Sequence, residues 1–166
     1  MNELKYAPMA SEEDYQQAYA LATEIWQVAY KGIISQEQID YMLPMMYAPA
    51  VIAREIREGI VYEFALDGDK RIGIVSFGPQ GDGVMKLHKL YLLPSYHGRG
   101  VGSQMLQHAI AAARAKGAKR LVLNVNKQNS RAIKAYKRNG FAVQADVKNA
   151  IGNSFYMDDY VMGLDL

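Results

Sequence analysis

The chain has 166 residues, 50% of them hydrophobic and 22% charged; that is enough for one domain with its own core, and too evenly mixed for a disordered or fibrous protein. It contains no cysteine and three histidines, His88, His97 and His108, which excludes a disulfide framework and a thiolate zinc site and leaves no metal-ligand spacing, so no metal is expected. The net charge of +2 hides a division: between Asp82 and Asp146 lie twelve Lys and Arg and no acid, an asymmetry that points to an anionic partner.

In chain order, "ELKYAPM" reads as a first strand and "SEEDYQQAYALATEIWQVAY" as a helix capped by Ser11, with apolar residues at helical spacing. "SQEQIDYML" opens a second helix, with Ser35 and Gln38 in a capping-box arrangement and a stop near Pro44. "PAVIAREIREG" is a third, between Pro49 and Gly59. The pattern then turns to strands. "IVYEFAL", "RIGIVSFG" and "VMKLHKLYLL" are divided by the turn signals "DGDK" and "PQGDG", as in an antiparallel meander. After "PSYHGRGVG" come a helix over 103–117, the strand "RLVLNVN", a short helix "SRAIKAYKRNG" and a final antiparallel pair, "FAVQADVKN" and "SFYMDDYVMGLDL". Strand, loop, helix, strand implies a right-handed crossover between parallel strands. The expected fold is α/β (α+β): a single domain over 1–166 with a mixed, mostly antiparallel twisted sheet and helices on both faces. No stretch approaches the ~20 apolar residues of a membrane span. The N-terminus lacks the basic-then-apolar order of a signal peptide, so a cytoplasmic protein without membrane association is expected.

The loop "HGRGVG" places glycines at 98, 100 and 102 between a strand and a helix N-terminus. A Walker A loop is excluded, because no glycine here is followed by Lys-Ser or Lys-Thr in frame. A dinucleotide fingerprint counted from Gly98 ends on Ser103 and finds no acid at the end of the next strand. Successive N–H groups with a helix dipole behind them suit a pyrophosphate; a tight connection holding no ligand is the plainer alternative.

"HGRGVG" resembles the R/Q-x-x-G-x-G/A signature of the GNAT N-acetyltransferase superfamily, which binds the pyrophosphate of acetyl-CoA. The preceding "KLYLLP" and the following "LNVNKQNSRAIKAYKRNGF" are similar to that family's strand and N…A…Y…GF segment, so residues 84–143 match in order and spacing. One departure is His97, where the family has Gln or Arg. The resemblance implies that the backbone of Leu90, Tyr91 and Leu92 holds acetyl-CoA and polarises its carbonyl. It also implies that His97, Gly98, Arg99, Gly100, Val101, Gly102 and Ser103 take the pyrophosphate, with Arg99 as a cation. Asn129 is a helix cap, a CoA contact, or both. Tyr136 matches the family tyrosine that protonates the departing thiolate, as a phenol with pKa near ~10 can; Ala132, Ile133 and Tyr136 would equally make an apolar core face.

For the base, His88 lies on the strand facing the substrate and titrates in a suitable range, while Glu63, Asp158 and Asp159 are carboxylates that could act through water or pair with an ammonium. The resemblance places the acceptor pocket between the first two helices and the C-terminal hairpin, where Tyr30, Glu63 and Asp159 would meet a cationic small amine. This is similar to the small-amine and polyamine members of the superfamily. An acyl-CoA-binding module without catalysis, or acetylation of a protein or peptide amine, are the alternatives. Nucleic acid is not an expected partner, because Tyr91, Tyr96 and Tyr136 are too sparse among the bases. Dimers are common in the family, which makes a homodimer a candidate assembly.

Overall fold

The computed structural model describes residues 3–166. The elements run β1 (Lys5–Pro8), α1 (Glu12–Ala29), α2 (Gln36–Tyr47), α3 (Pro49–Arg57), β2 (Val61–Asp67), β3 (Lys70–Gly81), β4 (Val84–Leu92), α4 (Val101–Ala115), β5 (Arg120–Asn126), α5 (Ser130–Arg138), β6 (Ala142–Gly152) and β7 (Phe155–Asp165). The strands form one seven-stranded sheet in the order β1-β2-β3-β4-β5-β7-β6. Among these seven strands only β4 and β5 pair in parallel, with α4 as their crossover. Trp26, Tyr47, Phe64, Ile72 and Ile74 pack beneath α1–α3, and Val75, Phe77, Leu87, Leu106 and Leu121 form a second apolar cluster with α4. The mixed, mostly antiparallel sheet is the one the alternating strands and crossover predict. Among the described residues no helix is long and apolar enough to cross a membrane.

Local signals hold where local chemistry decides. Ser11 and Ser35 accept hydrogen bonds from the amides of Asp14 and Gln38 at 3.2 and 3.1 Å, so each satisfies an orphan donor of a first helical turn. Two details differ. The capping box at Ser35 is only half made, because the Gln38 amide donates instead to the Tyr156 carbonyl at 2.8 Å, tying α2 to the C-terminal hairpin. And α2 runs through Pro44 to Tyr47, since Leu43 and Tyr47 are buried in the core and that burial outweighs the one N–H bond a proline removes.

The β4–β5 ladder covers only Val84–Leu87 against Arg120–Leu123, although both strands continue. On the other side of β4, Phe77 pairs with Leu87 and Ser76 with Lys89, which leaves His88 as the extra residue of a β-bulge. A bulge bends its strand and sharpens the local twist, and here it falls where β4 leaves β5. The two strands part, and a cleft opens between their C-terminal ends.

Candidate functional site

A groove of about 1020 Å³ runs through that cleft, from the first turn of α4, past the ends of β4 and β5, to the end of α1. At one end Gly98 and Gly100 adopt φ of 77° and 76°, left-handed conformations that glycine takes at no steric cost. They turn the chain into α4, whose first turn has no side-chain cap. Its N–H donors are therefore left to solvent or to an anion. Gly102 is different, because its backbone is helical and a Cβ built there would meet no atom within 4 Å. Neither strain nor packing calls for glycine at 102, but the close approach of a ligand to the backbone would.

His97, Gly98, Gly100, Gly102, Ser103 and Asn129 all line the groove. The His97 ring donates to the Leu92 carbonyl at 3.2 Å, so its side chain pins the loop to the end of β4. Burial and the nearby Arg131 hold that imidazole below its ordinary value, so it stays neutral. Arg99 and Val101 are not brought to the groove by their side chains. The Arg99 guanidinium stacks 5.3 Å from the Tyr96 ring centroid, and Val101 is fully buried in the core. Arg131, Lys134 and Arg138 of α5 line the same end. Asn129 caps α5, accepting from the Ala132 amide at 3.3 Å.

Three tyrosines line the middle stretch of the groove. Tyr30 from the end of α1 and Tyr91 from β4 share a hydroxyl–hydroxyl hydrogen bond of 3.2 Å. Tyr136 from α5 is 9% exposed and lies 5.8 Å from the Phe141 ring. Burial pushes all three phenols above their ordinary value, so each keeps its proton at neutral pH. Leu90 and Leu92 line the same stretch. His88 lines it as well, and burial together with Lys86 and Lys89 pushes its imidazole down to about 4. It is an uncharged and weak base.

The carboxylates part company. Glu63 sits away from the groove, where it accepts from His108 at 2.8 Å, and that imidazole is stacked on Tyr6 at 3.6 Å. Asp158 is engaged by Lys127 at 2.9 Å. Asp159 is 3% exposed; burial holds its carboxyl above the usual range, against a hydrogen bond with Asn124. Asn124 lines the groove and Asp159, expected there from the sequence, does not. In "RLVLNVN" Asn124 stands opposite the buried Leu121, Leu123 and Val125 by strict alternation, a signal the sequence itself carries.

Asn139 is a second unanticipated participant. Its amide donates to Ser103 Oγ at 3.2 Å and to the Ala135 carbonyl at 2.8 Å, and accepts from Gln107 at 3.0 Å. The end of α5 is thereby clamped to the first turn of α4, which fixes Tyr136 relative to the glycine turn. Asn139→Ala should cost about 1–2 kcal/mol of stability, read as a lower urea midpoint at unchanged slope.

The sequence profile of the acetyltransferase (GNAT) family matches residues 15–141. An uncharacterized N-acetyltransferase of Mycobacterium bovis is 38% identical over 82 residues, 49% of this chain and 52% of that protein. The chain thus spans about half the length of the mycobacterial relatives it matches. The spermidine N(1)-acetyltransferase of Thermoplasma acidophilum is 28% identical over 153 residues, 89% of this chain and 92% of that one. Among solved structures, the PaiA N-acetyltransferase of Thermoplasma acidophilum in complex with coenzyme A superposes with a TM-score of 0.83 at 25% identity, covering 99% of this chain and 100% of that chain.

Proposed function

The chain belongs to the acetyltransferase (GNAT) family, and on that premise we propose that it transfers an acetyl group from acetyl-CoA to a primary amine of a small molecule. The observation that carries this reading is the continuous groove that joins the uncapped first turn of α4 to the hydrogen-bonded Tyr30–Tyr91 pair and is also lined by Tyr136. The residues present fit the co-substrate. The free donors of α4 and the Cβ-sized space at Gly102 suit a pyrophosphate, and Arg131, Lys134 and Arg138 suit further phosphate. When bound, acetyl-CoA supplies a thioester carbonyl open to an amine.

The residues of this chain then have distinct tasks. The edge of β4 beyond Leu87, unpaired with β5, orients the acyl end along Leu90, Tyr91 and Leu92. Tyr30 meets the acceptor amine at the α1 end of the groove, with Asp159 held behind Asn124 as a buried carboxyl. The amine nitrogen bonds to the carbonyl carbon as the carbon–sulfur bond breaks. Tyr136 gives its proton to the departing sulfur; the burial that makes this phenol a weaker acid also makes a thiolate beside it a stronger base. His88 accepts the amine proton. A base held down at about 4 suffices, because an amine becomes strongly acidic once its nitrogen bonds to carbon. The match to a spermidine acetyltransferase over 89% of this chain supports a polyamine as the first acceptor to test.

Thermal unfolding with acetyl-CoA, CoA and NAD at matched concentrations tests the reading. A ligand at 100 times its Kd adds ~2.7 kcal/mol, a rise of roughly 5–10 °C for a chain of this size. The rise is expected with both CoA species and not with NAD, followed by free-thiol release with spermidine. No rise with either CoA species would overturn the assignment. A rise without thiol release from any of a panel of amines and peptides would leave a binding module.

A further inference from the structure

Lys89 is 6% exposed and sits one residue beyond the His88 bulge, on the strand that orients the acyl end, yet no step above uses it. Its ammonium donates to the Tyr62 hydroxyl at 2.7 Å and lies 3.6 Å from Glu55. The Tyr62 hydroxyl donates in turn to Glu55. The rings of Tyr47 and Tyr62 lie 5.2 and 5.0 Å from the same nitrogen. One cation therefore draws together α2, α3, β2 and β4. Tyr62, Ser76 and Lys89 also stand side by side across three strands.

Stability does not account for this arrangement. Removing a lysine from water costs several kcal/mol, and an apolar replacement of a buried ion pair is often neutral or better. The Tyr47 hydroxyl and Ser76 Oγ beside it are buried without hydrogen-bond partners, a further cost. The cage has the aromatic and acidic make-up suited to an ammonium, and the protein's own lysine fills it. What the cage does have is position. An extra residue in a strand can migrate and take the register with it, and an anchor at the next residue prevents that. Lys89, Lys86 and Glu55 are also the charges that face His88.

We infer that Lys89 is a positioning residue for the transfer proposed above, on which the inference rests: its caged ammonium, held by Glu55 and Tyr62, locks β4 just beyond the bulge, so fixing the line of Leu90 and Tyr91 along the groove, and presents an interior cation to His88.

The test is the titration of the His88 ring by NMR in the ligand-free protein, for the parent, Lys89→Met and Glu55→Gln. Lys89→Met removes a like charge and leaves Glu55 unopposed, so the His88 midpoint should rise. Glu55→Gln removes an attraction for the imidazolium, so it should fall. A core that had merely loosened would expose His88 and raise both midpoints; that result, or no movement in either, overturns the inference. In turnover, Lys89→Met should lower kcat at least tenfold with the KM for acetyl-CoA changed less than twofold. Where that single variant fails to fold, Lys89→Met/Glu55→Gln removes both charges together and should show the same loss in kcat. Opposed titrations with kcat unchanged would overturn the positioning role. Absence of transfer by a parent protein that binds acetyl-CoA would overturn the catalytic reading and the positioning role with it, while the titrations would still report on the cage.

Discussion

Replacing Tyr136 by phenylalanine should lower kcat for acetyl transfer by about 100-fold, the lower range for losing a positioned general acid. The CoA-dependent rise in unfolding midpoint should be unchanged, because the phenyl ring keeps its place in the core beside Phe141. Free-thiol release under saturating acetyl-CoA reads the first quantity and thermal unfolding the second. Undiminished turnover would remove Tyr136 from the mechanism. The pH profile carries a related expectation. Burial holds the Tyr136 phenol above its ordinary value, and His88 is held down at about 4, so neither group changes charge between pH 5 and 9. The rate should rise steadily across that window as the acceptor amine loses its proton, with no break near 6.5. Stability also falls in acid. His88 binds a proton more readily unfolded than folded, so its contribution to stability is lost as pH falls from about 6.5 to about 4.

Gly102→Val should separate binding from folding. The backbone at 102 is helical and a Cβ there meets nothing within 4 Å, while valine and glycine differ by only a few tenths of a kcal/mol in helix propensity. The unfolding midpoint without ligand should therefore move by less than about 2 °C. The branched side chain would stand where a phosphate approaches the backbone. Losing one or two charge-assisted hydrogen bonds, each about 1.5–3 kcal/mol, should weaken acetyl-CoA binding at least tenfold. Isothermal titration of parent and variant measures it. Equal affinity in the two would show that no phosphate approaches the backbone at this turn.

The same contrast between local and distant causes separates what was legible in the sequence. Helix caps at Ser11 and Ser35, the left-handed turn at Gly98 and Gly100 and the strand–turn–helix around them are decided within a few residues, and the text of the chain carries them. So does the order of elements, because apolar periodicity reports which face each one buries. Glu63, by contrast, looks as available as Asp159 in the sequence, yet strand register carries it to His108 and away from the groove. Arg99 was an expected phosphate ligand, but Tyr96 offers it an aromatic face close by. Lys89 reads as one more base in a basic segment, and only α2, α3 and β2 folding over it make it an interior cation. By itself the sequence determined the elements, the glycine turn and the family. The tertiary structure decided which charges face the groove, because a charge's role depends on neighbours tens of residues away, and a single bulge at His88 changes which neighbours those are.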